Sequence, residues 1–190
     1  MSDAVFAAPS RAGSRTIALI GLMGVGKSTL GRRLAARLGR PFVDGDQEIE
    51  RAAGRSVSEI FAELGEAEFR AGEARVMRRL LTGPPVVLAT GGGAVLNPDT
   101  RRLMKSHAVS VWLRAELPVI VERVARRDTR PLLRGKDPLA TLTALAQARY
   151  PVYAEADLVV DVGAGAHGQA VGRVIKALEA HRLAHPEKSW

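Results

Sequence analysis

Gly21-Leu-Met-Gly24-Val-Gly26-Lys27-Ser28-Thr29 limits what this chain can fold into more than any other segment. It matches G-x-x-x-x-G-K-[ST], and its flanks are the ones that pattern requires. Before it, Thr16-Ile-Ala-Leu-Ile20 is a short apolar run closed by glycine, as a buried parallel strand would be. After it, Leu30, Leu34 and Leu38 form a helical stripe that Gly39 ends. The glycines let successive N–H groups curl inward, and a helix N-terminus adds partial positive charge. Phosphate fits such a loop. Gly24, Val25, Gly26, Lys27, Ser28 and Thr29 would hold a nucleotide, with Lys27 on its terminal phosphates and the Ser28 hydroxyl on magnesium. The motif alone does not separate a kinase from a GTPase, a motor or a DNA-associated ATPase.

Further apolar runs at 41–43, 86–89, 108–113 and 158–160 read as strands. Helical patterns lie between and around them, at 47–53, 57–64, 67–81, from Asn97 onward, and at 118–125, 138–149 and 170–183. This alternation predicts an α/β fold, a parallel sheet covered by helices on both faces. Residues 1–14 are small and polar, and read as a disordered tail. Residues 15–185 read as one domain. Within it, RRDTRPLLRGKD at 126–137 is charged and aperiodic, the pattern of an exposed mobile loop.

The 190 residues are 46% apolar, ordinary for a globular chain. No apolar run approaches the roughly 20 residues that span a bilayer. The N-terminus lacks a basic start followed by an apolar stretch, and cysteine is absent. A cytoplasmic protein without a membrane partner is expected, and a monomer. Lys and Arg number 28 against 20 Asp and Glu, an excess of 8 that suits anionic ligands. Aromatics are only 4% and the basic residues are scattered, which argues against nucleic acid as the partner.

Asp44-Gly-Asp46 follows the second strand, and Thr90-Gly91-Gly92-Gly93 the third. Ligands of open α/β sheets bind outside the carboxyl ends of the strands, so both segments should face the phosphate loop's crevice. One acid can hold magnesium through water while the other orients or deprotonates a hydroxyl. A surface turn, or Asp46 capping a helix that starts at Gln47, accounts for the acids equally well. The glycines would let a ligand approach the backbone, or would simply make a flexible turn. Arg70, Arg130 and Arg149 are each candidates for anion contact, against a commoner solvated role.

Taken together, GLMGVGKSTLGRRLA, FVDGDQEIE, GRSVSEIFAELGEAEFR, TGGGAV, RPLL and ARYPVYAEADLVVD resemble the shikimate kinase family, in the family's order from about Thr16 to Asp161. The resemblance implies a P-loop, nucleoside-monophosphate-kinase-like three-layer sandwich with a five-stranded parallel sheet. It implies ATP- and magnesium-dependent phosphorylation of the 3-hydroxyl of shikimate, in chorismate and aromatic amino-acid biosynthesis. On the matched motifs, Asp46, Arg70, Arg149 and the Gly91, Gly92 and Gly93 backbone would bind shikimate. Lys27, Asp46 and Arg130 would be catalytic, Arg130 as the lid arginine. Arg126 would pack on adenine. Ser28 and Asp44 would serve the metal. A gluconate kinase of the same architecture, or a nucleic-acid-associated ATPase, are the competing readings.

Overall fold

The computed structural model describes residues 14–125, 137–163, 167–188 and 190. Its elements run β1 (Thr16–Ile20), α1 (Lys27–Leu38), β2 (Phe42–Asp44), α2 (Gly45–Ala53), α3 (Val57–Leu81) and β3 (Val87–Ala89). Then come α4 (Pro98–His107), β4 (Ala108–Arg114), α5 (Leu117–Ala125), α6 (Pro138–Tyr153), β5 (Leu158–Asp161) and α7 (His167–Ala184). The five strands form one parallel sheet in the order β2-β3-β1-β4-β5. Parallel strands buried on both faces need apolar residues on both, and Ile17, Ala18, Leu19, Val87, Leu88, Val109 and Val111 are all fully buried. Helices complete the outer layers: α1 packs with α7, and α3 with α4. Leu34, Val174, Met77 and Met104 turn inward from those helices, all nearly or fully buried.

The helix ends follow local chemistry. Ser56 and Glu59 close a reciprocal capping box at the start of α3. Gly65, at φ 80° and ψ 173°, breaks α3 internally, where the sequence predicts separate helices over 57–64 and 67–81. Asn97 caps α4 by accepting from Asp99 N and Thr100 N, with Pro98 in the first turn. Two boundaries differ from expectation. Helix α2 starts at Gly45, and its cap is Asp44, whose Oδ1 accepts from Asp46 N at 3.1 Å. Asp46 therefore does not cap a helix at Gln47. Helix α6 runs past Arg149 and through Pro151 to Tyr153, one turn beyond the predicted end.

Register sets the functional edge. Ala89 stands opposite both Leu19 and Asp44, so β1, β3 and β2 end abreast. The Thr90 backbone N–H and hydroxyl both donate to Leu19 O, at 3.1 and 3.0 Å, and lock that edge. The chain leaves β1 for β2 and β3 on one side and returns at β4 on the other. That reversal makes β1 a switch point, where open α/β sheets place their ligands.

Candidate active site

The phosphate loop takes its shape from glycines that accept a left-handed backbone. Gly21 has φ 141°, and a Cβ there would sit 2.6 Å from the Leu113 carbonyl oxygen. Gly24 has φ 80°, and a Cβ there would meet Val124 and Ile120 of α5. Gly26 caps α1 without a side-chain bond, so the first N–H groups of that helix have no capping side chain of their own. Lys27 Nζ donates to the carbonyls of Gly21 and Leu22 at 2.8 and 3.0 Å, folded back along the loop it serves. Ser28 Oγ donates to Asp44 Oδ2 at 2.6 Å, joining the start of α1 to the end of β2. With Oδ1 spent on capping α2, Asp44 presents Oδ2 beside the Ser28 hydroxyl. This all-oxygen pair suits a hard divalent cation.

The second half of the site is assembled around the glycine triplet. A Cβ on Gly91 would lie 2.8 Å from Asp46 Oδ1 and 2.7 Å from Glu73 Oε1. On Gly92 it would lie 3.0 Å from Arg149 Nη1 and 3.4 Å from the Gly21 carbonyl oxygen. On Gly93 it would lie 2.8 Å from Arg70 Cζ. The triplet thus gathers Asp46, Arg70 and Arg149, from α2, α3 and α6, and Gly92 borders the phosphate loop. Arg149, expected at the surface as an isolated arginine, is only 6% exposed.

Four side chains that sequence reasoning missed, Glu73, Tyr153, Arg123 and Glu66, hold these groups in place. Glu73 Oε2 accepts from Arg70 Nη1 at 2.7 Å, while Glu66 accepts from Arg70 Nε and Nη2. Burial pushes the Glu73 carboxyl above its ordinary range, and the neighbouring Asp46 adds to this; Arg70 and Arg149 oppose it. Tyr153 is fully buried and donates its hydroxyl to Gly92 O. Arg123 of α5 donates to Val25 O at 3.1 Å and to Gly163 O at 2.8 Å, tying the phosphate loop to the segment after β5. The usable signal for the first two was spacing. Glu73 stands three residues after Arg70, and Tyr153 four after Arg149, both on one helix face.

Gly24, Val25, Gly26, Lys27, Ser28 and Thr29 all fall in the loop and the first turn of α1, as expected. Arg126 and Arg130 lie outside the described residues. Chemically, two guanidiniums, one carboxylate and a bare glycine backbone face an anion-binding loop. Arg70 and Arg149 can grip a planar carboxylate, Asp46 can accept from hydroxyls, and the loop can hold phosphates. A hydroxylated acid beside a nucleotide satisfies every group present.

Comparison with known proteins agrees. The family model described as shikimate kinase matches residues 23–179. A shikimate kinase of Caulobacter vibrioides is 60% identical over 175 residues, 92% of this chain and 86% of that protein. One of Bradyrhizobium diazoefficiens is 54% identical over 172 residues, 90% and 83% of the two chains. Among solved structures, shikimate kinase from Acinetobacter baumannii in complex with shikimate superposes with a TM-score of 0.86 at 36% identity, covering 92% of this chain and 99% of that one.

Proposed function

The chain belongs to the shikimate kinase family, and from that premise we propose the residue roles by which it phosphorylates the 3-hydroxyl of shikimate with ATP. The observation that carries these roles is the convergence of Asp46, Arg70 and Arg149 on Gly91–Gly93, with Gly92 against the phosphate loop. Arg70 and Arg149 hold the acceptor's carboxylate through paired, charge-assisted bonds. The bare triplet lets its ring approach the backbone.

Lys27 exchanges its bonds to Gly21 and Leu22 for the β- and γ-phosphates, so its charge arrives without a new loop conformation. Magnesium supplies further positive charge to the phosphate oxygens when bound, and Ser28 and Asp44 are the residues that would hold it. Asp46 orients the 3-hydroxyl and takes its proton as that oxygen bonds to the γ-phosphorus. The bridging oxygen leaves with ADP. Transfer of this kind depends on positioning and charge neutralisation more than on covalent chemistry by the protein. Arg130 is assigned the developing charge, and Arg126 the adenine, on motif alone.

On the same reading residues 15–185 act as one domain, in the cytoplasm, as a monomer with neither nucleic acid nor membrane as partner. Among the described residues no helix is long and apolar enough to cross a membrane. The deciding experiment is ADP release from purified protein with ATP and magnesium, offered shikimate, gluconate or no acceptor. Release that requires shikimate is expected. Equal release without an acceptor, or with gluconate only, would refute the acceptor assignment.

A further inference from the structure

Arginine 149 is a buried cation, and a buried charge is tolerated only where its hydrogen bonds are satisfied and its position is fixed. Tyr153 lies one helical turn further along α6, on the same face, and is fully buried. Its hydroxyl has one proton and donates it to Gly92 O. The positive charge of Arg149 acts on the same hydroxyl, lowering its pKa against the effect of burial. The ring cannot move aside readily: Trp112 and Tyr150 pack against it, with centroids at 5.9 and 6.2 Å. Gly92 in turn stands against the guanidinium and the Gly21 carbonyl.

We propose that Tyr153 is a positioning residue, which fixes the Arg149 guanidinium and the Gly92 backbone relative to one another and so sets the acceptor's carboxylate before transfer. The inference rests on the acceptor reading above and extends it to a residue that never touches the acceptor. The bond pattern is directional. Only a protonated phenol can donate to Gly92. Burial pushes the Tyr153 hydroxyl up to about 12, so that pattern persists across the physiological range. The extra turn of α6 beyond Arg149, through Pro151, is what brings the phenol under the triplet.

The test is steady-state kinetics of the full chain carrying Tyr153→Phe, which keeps the ring and deletes the hydroxyl. The KM for shikimate should rise about tenfold, the scale of one hydrogen bond to a charged group. The KM for ATP should be unchanged, and kcat should fall less than the shikimate KM rises. In an Arg149→Lys background, the same change should add less than its full effect. An unchanged shikimate KM overturns the proposal. A parallel rise of both KM values, the mark of a loosened core, overturns it too.

Should the variant fail to fold, the chain as it stands decides the matter. It contains two tyrosines, Tyr150 and Tyr153, so 3-fluorotyrosine labelling yields two fluorine resonances, assigned with Tyr150→Phe. Saturating shikimate should shift the Tyr153 resonance, whereas ATP alone should not. A Tyr153 resonance blind to shikimate overturns the proposal. Wild-type enzyme that releases no ADP with shikimate would instead refute the acceptor reading beneath it.

Discussion

Arg70 donates through Nη1 to Glu73 Oε2 at 2.7 Å, and the carboxylate it meets is a buried side chain only 5% exposed. Arg70 itself is 31% exposed and lies over the Phe69 ring at 5.2 Å. One partner is thus fixed in the protein and the other is left partly exposed, where the proposed acceptor would lie. Removing the fixed partner leaves Arg70 to Glu66 alone, at the surface end of its range. Glu73→Ala should therefore raise the KM for shikimate about tenfold or more, since a bond to a charged group is lost. The KM for ATP should stay put. Equal effects on both substrates would show that Glu73 serves the fold rather than Arg70.

Glu73 also sets a pH dependence of stability. Its carboxyl titrates above the ordinary range in the folded chain, because burial disfavours the charged form and Asp46 adds repulsion. A raised carboxyl contributes stability that is complete below its unfolded pKa and is lost as pH rises through the folded one. Glu73→Gln cannot titrate and keeps a hydrogen-bonding side chain. Relative to that variant, wild type should lose melting temperature as pH climbs from the ordinary carboxylate range upward. Thermal melts of both proteins between pH 4 and pH 8 should diverge; parallel curves would contradict the assignment.

Two glycines should separate fold from function. At Gly93 a new Cβ meets the far end of Arg70, a flexible chain that can move. Gly93→Ala should therefore displace the guanidinium and weaken shikimate binding, with little change in melting temperature. At Gly21 a Cβ meets the Leu113 carbonyl at 2.6 Å, on a backbone with φ 141°. Neither can yield cheaply, and Gly21→Ala should destabilise by about 1–3 kcal/mol. Melting curves beside shikimate kinetics would distinguish the two lesions, and a reversal of the pattern would count against the geometry.

The pair proposed as catalytic divides in the same manner. Lys27→Ala removes the charge proposed to meet the terminal phosphates, and shikimate-dependent ADP release should drop about 10²–10³-fold, or to background. Asp46→Asn keeps the shape and loses the base, so kcat should fall about 10²–10⁴-fold while ATP binding is retained. Nucleotide titration of the Asn variant checks the second half of that statement. Unchanged turnover in either variant would remove that residue from the mechanism.

The phosphate loop was legible because its chemistry is local. Gly21, Gly24, Gly26 and Lys27 are close in sequence, so spacing alone reports their geometry. The strand order around it follows from alternation of apolar runs and helical stripes. Arg149 was legible only through its motif neighbours, although it continues the buried stripe of Leu142 and Ala146 along α6, because an arginine on such a stripe is commonly solvated. Its burial depends on Tyr153, Trp112 and Gly92, which are brought together by tertiary packing. Glu73 was hidden differently. On α3, Glu59, Glu63, Glu66 and Glu68 precede it, and nothing in composition separates the buried acid from the solvated ones. The boundary of α6 was missed because Pro151 reads as a stop, although a packed last turn tolerates it.

The chain's C-terminal end tests a separate piece of physics. Asp157, only 14% exposed, accepts from Ser110 N and Oγ at 2.9 and 2.7 Å and from Lys188 Nζ at 2.7 Å. Beyond it, the indole of Trp190 donates to Leu178 O at 3.1 Å, so Trp190 closes against α7. Burial alone would raise the Asp157 carboxyl, but the bonds from Lys188 and Ser110 outweigh it and hold the group below its ordinary range. A depressed carboxyl contributes stability present above its unfolded pKa and lost as pH falls through the folded one. Asp157→Asn should cost about 1–3 kcal/mol at neutral pH, from the loss of a charge-assisted bond in a largely buried site. The melting-temperature gap to wild type should hold constant down to about pH 5 and begin to narrow below about pH 4. A gap that does not narrow at all as pH falls below about 4 would mean that Asp157 stabilises by shape and neutral hydrogen bonding, and that the charge of Lys188 is incidental to closing this end of the chain.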